Sequence, residues 1–193
     1  MNLERMSLSA LRAELLRNPA PGHTVQDCAG FHYGTDGNPV QGYDGLLRHR
    51  LSVAREILVR AAYEELVGRD CVTSPQACKD YLRIHFANLP NEVFVVLYLD
   101  AQNRVICAEQ PFAGTLNCTS IYPREIARRA IEVNAGAAII AHQHPSGVAQ
   151  PSRADEALTG AIKAALSTLD VRLLDHLVFA AGEFVSFAET GQI

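Results

Sequence analysis

The sequence predicts an α/β domain, a mixed β-sheet flanked by helices, preceded by an N-terminal helical extension. Three observations carry this. VFVVLYLD, residues 93–100, is apolar almost throughout, as suits a strand buried on both faces. Strand-like and helix-like segments alternate irregularly from Ser74 onward, which favours a mixed sheet. Hydrophobic residues make up 48% of the 193-residue chain, enough for one real core plus an extension.

The elements follow in order. MNLERMSLSALRAELLR can form an amphipathic helix on Leu8, Leu11 and Leu15. From Asn18 to Gly45, Gly, Pro, Asn and Asp dominate and periodicity disappears, which reads as a loop or linker. A helical pattern resumes over about 46–66, with Leu47, Leu51, Ala54, Leu58, Ala61 and Glu65 stepping by threes and fours. Ser74-Pro75 resembles an N-cap followed by proline at the first helical position. Ala77, Cys78, Tyr81, Leu82 and His85 then form one helix face, where His85 reads as a core or boundary histidine. The run at 93–100 turns at Asp100-Ala101-Gln102-Asn103 and returns as RVICAEQ, a hairpin pattern. A short strand at 115–118, a helix near 123–134, a buried strand AGAAIIA, an amphipathic helix over 152–169 and two strands around Ala181-Gly182 complete the chain. Residues 1–71 are read as the extension and 72–193 as the domain.

Bulk properties exclude several classes. The formal charge of −4 gives no electrostatic reason to expect nucleic acid as a partner. Arg48-His49-Arg50 and Arg128-Arg129 fall in helix-like segments and read as solvated faces. Five cysteines form no C-x-x-C pair, and their odd number and wide spread suggest reduced thiols in a cytoplasmic protein. No signal peptide and no membrane-spanning stretch are expected.

The chemistry concentrates in HQHPSGVAQPSRAD, residues 142–155. On an extended strand, residues i and i+2 point to one side, so His142 and His144 should project together from the end of the strand AAIIA. Two neutral imidazoles there make half of a tetrahedral metal site. Pro145-Ser146-Gly147 turns the chain and Ser152 starts a helix. Asp155 lies in its first turn, where the helix dipole favours an ionised carboxylate and where it can be a third ligand. Three protein ligands leave a fourth position for water, the arrangement of a catalytic zinc. Ser152-Arg153-Ala154-Asp155 also resembles a capping box, with aspartate in place of the usual glutamate.

H-x-H-P-S-G-x-x-x-P-S-x-x-D resembles the JAB/MPN metalloprotease signature, the JAMM motif, in the variant carried by the RadC family. SPQACKDYLR, NEVFVVLYLD, GTLNCTSIYPREIARRAIEVNAGAAIIAHQHPSG and VRLLDHLVFAAGEFVSFAETG are similar to RadC segments, from about Ser74 to the C-terminus. The resemblance implies a cytidine-deaminase-like fold. It implies zinc held by His142, His144 and Asp155, with Glu92 working on the zinc-bound water and Ser152 stabilising the oxyanion. Residues alone would not single out Glu92 among the glutamates. Asp175-His176 also matches a family feature and is read as a buried supporting pair. The helix-hairpin-helix DNA-binding module of longer RadC proteins is not seen in these residues, so a short form is expected. Gln143 stands where relatives often have asparagine and should point away from the metal.

The expected function is a zinc metallopeptidase or isopeptidase acting on an unidentified peptide or protein substrate. The alternative is a DNA-repair-associated factor acting on or near DNA, which the net charge does not support. A non-catalytic binding domain is a third reading, weakened by the complete ligand set. Zinc deaminases use a P-C-x-x-C pair that this chain lacks.

Overall fold

The run Val93–Leu99 forms β1, and every residue in it is buried. In a computed structural model describing residues 3–17, 41–87, 89, 91–113 and 121–193, β1 is flanked on both sides by strands. That central place explains why no polar residue interrupts it. β2, Val105–Ala113, pairs with it antiparallel after a turn in which Asp100 Oδ1 accepts from Gln102 N and Arg104 N at 2.8 and 2.9 Å. β3, Ala137–Gln143, lies antiparallel on its other side. β4, Arg172–Ala180, runs parallel to β3, and β5, Glu183–Ser186, closes the sheet antiparallel to β4. The order β2-β1-β3-β4-β5 is a mixed sheet flanked by helices, as expected. At the β4–β5 turn Ala181 and Gly182 both take positive φ, 48° and 89°, as a two-residue hairpin turn of the primed type requires.

Three helices accompany the sheet: α3, Pro75–Phe86; α4, Pro123–Glu132; and α5, Arg153–Ser167. One sheet face packs Phe94, Val96, Tyr98, Ala138 and Ile140 against Ile126 and Ala130 of α4 and Ile162 and Leu166 of α5. On the opposite face Phe86 of α3 stacks on Phe179 of β4 with centroids 5.8 Å apart. His85 is half-buried on α3, beside Tyr81, as a boundary residue should be. Ser74 does occupy the N-cap of α3 with Pro75 inside the first turn, but its side chain makes no capping bond.

Met1–Ala61 and Ala62–Ile193 form two compact units. In the first, α1, Leu8–Leu16, is capped by Ser7 Oγ, which accepts from Ala10 N at 3.2 Å. Leu11 is fully buried while Leu8 and Leu15 are half-buried, which is the face expected. The second helix, α2, spans Gln41–Leu66 and begins inside the stretch read as loop. Each glycine costs a helix only about 1 kcal/mol, so Gly42 and Gly45 do not stop it. Its exposed side carries Leu51 and Leu58, 61% and 57% exposed, whereas Val53 and Leu66 are buried. The threefold and fourfold steps thus identified the helix but not its inward face. The expected loop at 18–40, the expected strand at 115–118, Cys28 and Cys118 lie outside the described residues.

Cys71 and Cys78 are joined in a disulfide, which corrects the expectation of reduced thiols for this pair. Asp70 Oδ1 accepts from Val72 N and Thr73 N, and this turn folds Cys71 back onto the first turn of α3. The two Cα atoms then stand 6.2 Å apart. Cys107 is free and half-buried, and burial, with Glu109 nearby, pushes its thiol up to about 11. Because the bridge closes a short loop, replacing both Cys71 and Cys78 by Ser is expected to cost about 2 kcal/mol of unfolding free energy. Denaturant melts of the variant and the parent, each with and without reductant, check this: the parent's loss on reduction should match the variant's.

Candidate metal centre

β3 delivers its histidines at the end of the sheet. His142 is paired with Phe94 of β1 and Val178 of β4 and shares the face of Ala138 and Ile140. His142 is 1% exposed, and its imidazole lies nearly parallel to the Phe94 ring, 6.4 Å away. His144 N donates to Phe179 O at 2.8 Å, which carries the extended geometry one residue past the strand and turns both imidazoles to one side. Their Nε2 atoms stand 2.8 Å apart. The turn that follows needs Gly147 at φ +80°, with its N–H donating to His144 O at 3.2 Å. It brings Val148 O to within 2.8 Å of His144 Nδ1. A carbonyl only accepts, so Nδ1 carries the proton and Nε2 of the neutral ring is bare.

Asp155 comes from α5. Ser152 is the N-cap, and the capping box is complete: Asp155 N donates to Ser152 Oγ at 3.2 Å, and Ser152 N donates to Asp155 Oδ2 at 2.7 Å. Ser152 Oγ also donates to Oδ2, at 2.6 Å. The cap holds the carboxylate so that Oδ1 lies 3.2 Å from His142 Nε2 and Oδ2 lies 3.6 Å from His144 Nε2. Cap and candidate ligand are therefore one residue using its oxygens for two tasks. Burial raises the Asp155 pKa, but the His142 ring beside it and the hydrogen bonds from Ser152 outweigh this and hold the carboxyl well below the usual carboxylate range. In this arrangement the Ser152 proton is committed to Asp155.

Glu92 precedes β1 and shares the alternating face of Phe94 and Val96. It is exposed, and one of its carboxylate oxygens and one ring nitrogen each of His142 and His144 all lie within 4.8 Å of one another. Gln143 points to the other face, as expected, and its amide donates to Leu89 O at 3.4 Å and to Asn91 O, gripping the segment that carries Glu92. All five expected residues thus meet at one end of the sheet. Two ring nitrogens 2.8 Å apart, with carboxylate oxygens 3.2 and 3.6 Å from them, converge closely enough to hold a cation between them. The donor set, two imidazoles and one carboxylate with a second carboxylate at the rim, fits a divalent metal.

Two partners stand behind His142. His176 is 0% exposed and its Nε2 lies 2.8 Å from His142 Nδ1. Burial, reinforced by His142, pushes its pKa down to about 3, so the ring is neutral. Thr159 Oγ1 lies 2.6 Å from His176 Nδ1. Asp175 Oδ1 accepts from His176 N at 2.7 Å, but the two side chains do not act as a pair. Neighbours on a strand face opposite ways, and the Asp175 carboxylate accepts from Ser186 Oγ at 2.6 Å and Ala188 N at 3.0 Å, fastening the C-terminal segment. Thr159 was missed in the sequence, although its spacing of four from Asp155 places both on one helix face.

A family model described as RadC-like JAB domain matches residues 72–192. This chain belongs to the RadC-like JAB family. Its relatives agree: a UPF0758 protein of Methylibium petroleiphilum is 54% identical over 152 residues, 79% of this chain and 68% of the relative. Another UPF0758 protein, from Acidovorax sp. strain JS42, is 42% identical over 193 residues, covering 95% and 81%. The segment matched as RadC-like JAB domain contains Glu92, His142, His144, Ser152 and Asp155, along with Thr159 and His176. Among the described residues, no helix of this RadC-like JAB protein is long and apolar enough to cross a membrane.

Proposed function

We propose that this chain is a zinc-dependent hydrolase of amide bonds, a peptidase or isopeptidase. The observation that carries the reading is the approach of His142 Nε2, His144 Nε2 and the Asp155 carboxylate to within 2.8–3.6 Å of one another, beside an exposed Glu92. His142, His144 and Asp155 would hold the metal. Zinc in such a site supplies Lewis acidity and brings the pKa of water to about 7. Glu92, at the open rim, is suited to take a proton from the attacking water and return it to the leaving amine as the C–N bond breaks. Ser152 has one hydroxyl proton, and release from Asp155 would let it serve a developing oxyanion.

The Ser152 role separates cleanly from capping. Ser152→Ala should cost about 1 kcal/mol of stability as a lost cap. It should also lower kcat by about 10²–10³-fold if the hydroxyl serves the oxyanion. A kcat unchanged at full metal loading would leave capping as its whole function.

The DNA-associated reading lacks electrostatic support. Arg129 donates to both oxygens of Glu109, at 2.9 and 3.0 Å from Nε, and Arg128 bonds Glu125 and Glu132. His49 pairs with Glu14 at 3.0 Å. Arg128, Arg129 and His49 are thus paired with acidic side chains within the fold, and Arg50 donates to the Arg17 carbonyl. The test of the hydrolase reading is direct: metal content of the purified protein, then digestion of a peptide and isopeptide library with and without chelator. Protein that takes up no zinc at neutral pH and cleaves nothing ends this reading.

A further inference from the structure

We propose that Thr159 and His176 are positioning residues that set the tautomer of His142 and so make its Nε2 a metal-binding lone pair; this rests on the hydrolase reading's metal site.

A backbone carbonyl fixes one end of a hydrogen-bond chain. Thr159 Oγ1 lies 2.6 Å from Asp155 O, one turn back on α5. A carbonyl only accepts, so the single hydroxyl proton of Thr159 points there. Toward His176 Nδ1, also 2.6 Å away, the hydroxyl has only a lone pair left, so His176 Nδ1 carries a proton and donates. The neutral His176 ring then has a bare Nε2. That atom lies 2.8 Å from His142 Nδ1, so His142 donates from Nδ1 and leaves its own Nε2 bare. Every link follows from the one before it, and the start is a backbone carbonyl of the helix that also presents Asp155. The same four-residue helical step thus ties one candidate ligand to the protonation pattern of another.

The ring positions are equally determined. His176 is clamped between Phe187, stacked at 4.7 Å, and Phe94, edge-on at 6.2 Å, while Phe94 also flanks His142. With no freedom to rotate, His176 presents one nitrogen to each neighbour. His144 reaches the same tautomer by a shorter route, through the Val148 carbonyl. Without the Thr159 lone pair, His176 Nδ1–H would be buried without an acceptor, and the ring would favour Nε2–H. That proton would face His142 Nδ1 and drive the His142 proton to Nε2, where the Asp155 Oδ1 at 3.2 Å would accept it and the metal would be displaced.

The test has two arms. Two-bond 1H–15N spectra of the metal-free, unsubstituted protein report the tautomers directly. His176 should be protonated at Nδ1 and bare at Nε2, and His142 protonated at Nδ1; His176 protonated at Nε2 overturns the proposal. Zinc affinity by competition with a chromophoric chelator is the second arm. Thr159→Val and His176→Phe should weaken it about 10–100-fold, as for lost partners of ligating histidines. Thr159→Ser should restore it, because the hydroxyl alone is needed. Thr159→Val protein that is folded and binds zinc as tightly as the parent overturns the proposal, whatever His176→Phe does to folding. A purely structural role would lower the melting temperature without changing affinity or tautomer. If the unsubstituted protein binds no zinc, the hydrolase reading fails, while the tautomers of the metal-free protein still decide the hydrogen-bond chain.

Discussion

Glu92→Gln is expected to abolish hydrolysis while zinc stoichiometry and melting temperature stay within error of the parent. Glu92 is exposed at the mouth of β1, so neutralising it removes no buried partner and leaves the core beneath intact. Glutamine keeps the shape and one acceptor oxygen but cannot take a proton at neutral pH. Proton transfer by a positioned side chain is worth about 10²–10⁴-fold, so a loss of that size in kcat is expected. The geometry also permits a different result. One Glu92 oxygen and the two histidine nitrogens lie within 4.8 Å of one another, close enough for Glu92 to be a ligand itself. If it is, Glu92→Gln loses metal together with activity, and the affinity measurement shows it. Retained zinc with lost turnover places Glu92 on the water; lost zinc reassigns it to the metal and sinks the general-base role.

Parts of this molecule were legible in the residues for physical reasons. β1 announced itself because a strand with neighbours on both sides and helices above and below has no place for a polar side chain. His142 and His144 were legible because a strand's period of two is strict, and only one residue beyond β3 was needed to carry it. Other parts depended on contacts between distant segments. Nothing local marks Glu92, which acquires meaning only because β1 and β3 pair and set Phe94 opposite His142. The Cys71–Cys78 bridge matched no familiar spacing, since it depends on an Asp70-centred turn doubling the chain back onto α3. Gln143 was correctly placed on the face away from the histidines, but its grip on Leu89 and Asn91 carbonyls appears only when β3 lies beside the segment entering β1. The buried face of α2 was not legible, because threefold and fourfold spacing specifies a helix, not the side that a neighbour covers.

Asp155→Asn should give a folded protein that no longer gains stability from zinc. Asparagine can still accept from Ser152 N and Oγ through its carbonyl oxygen, so the cap survives in part. Its amide nitrogen, in the place of Oδ1, then faces His142 Nε2 and donates to the lone pair that the hydrogen-bond chain through His176 leaves there. The substitution thus supplies a donor in the metal-free protein while removing an anionic ligand. Zinc affinity should fall by more than about 100-fold, beyond the loss typical of a supporting partner. In melts with zinc at a hundred times the parent's Kd, the parent gains about 2.7 kcal/mol and the variant gains almost nothing. The pH dependence has a definite sign. The Asp155 pKa in the folded protein lies below its unfolded value of about 3.9. Its ionised form therefore stabilises the fold above that value, and the contribution disappears as pH falls through the folded-state pKa. The variant lacks this group, so any stability advantage of the metal-free parent near neutrality should shrink in acid below about pH 4. A variant that retains the full zinc-dependent gain would remove Asp155 from the metal and leave it a helix cap alone.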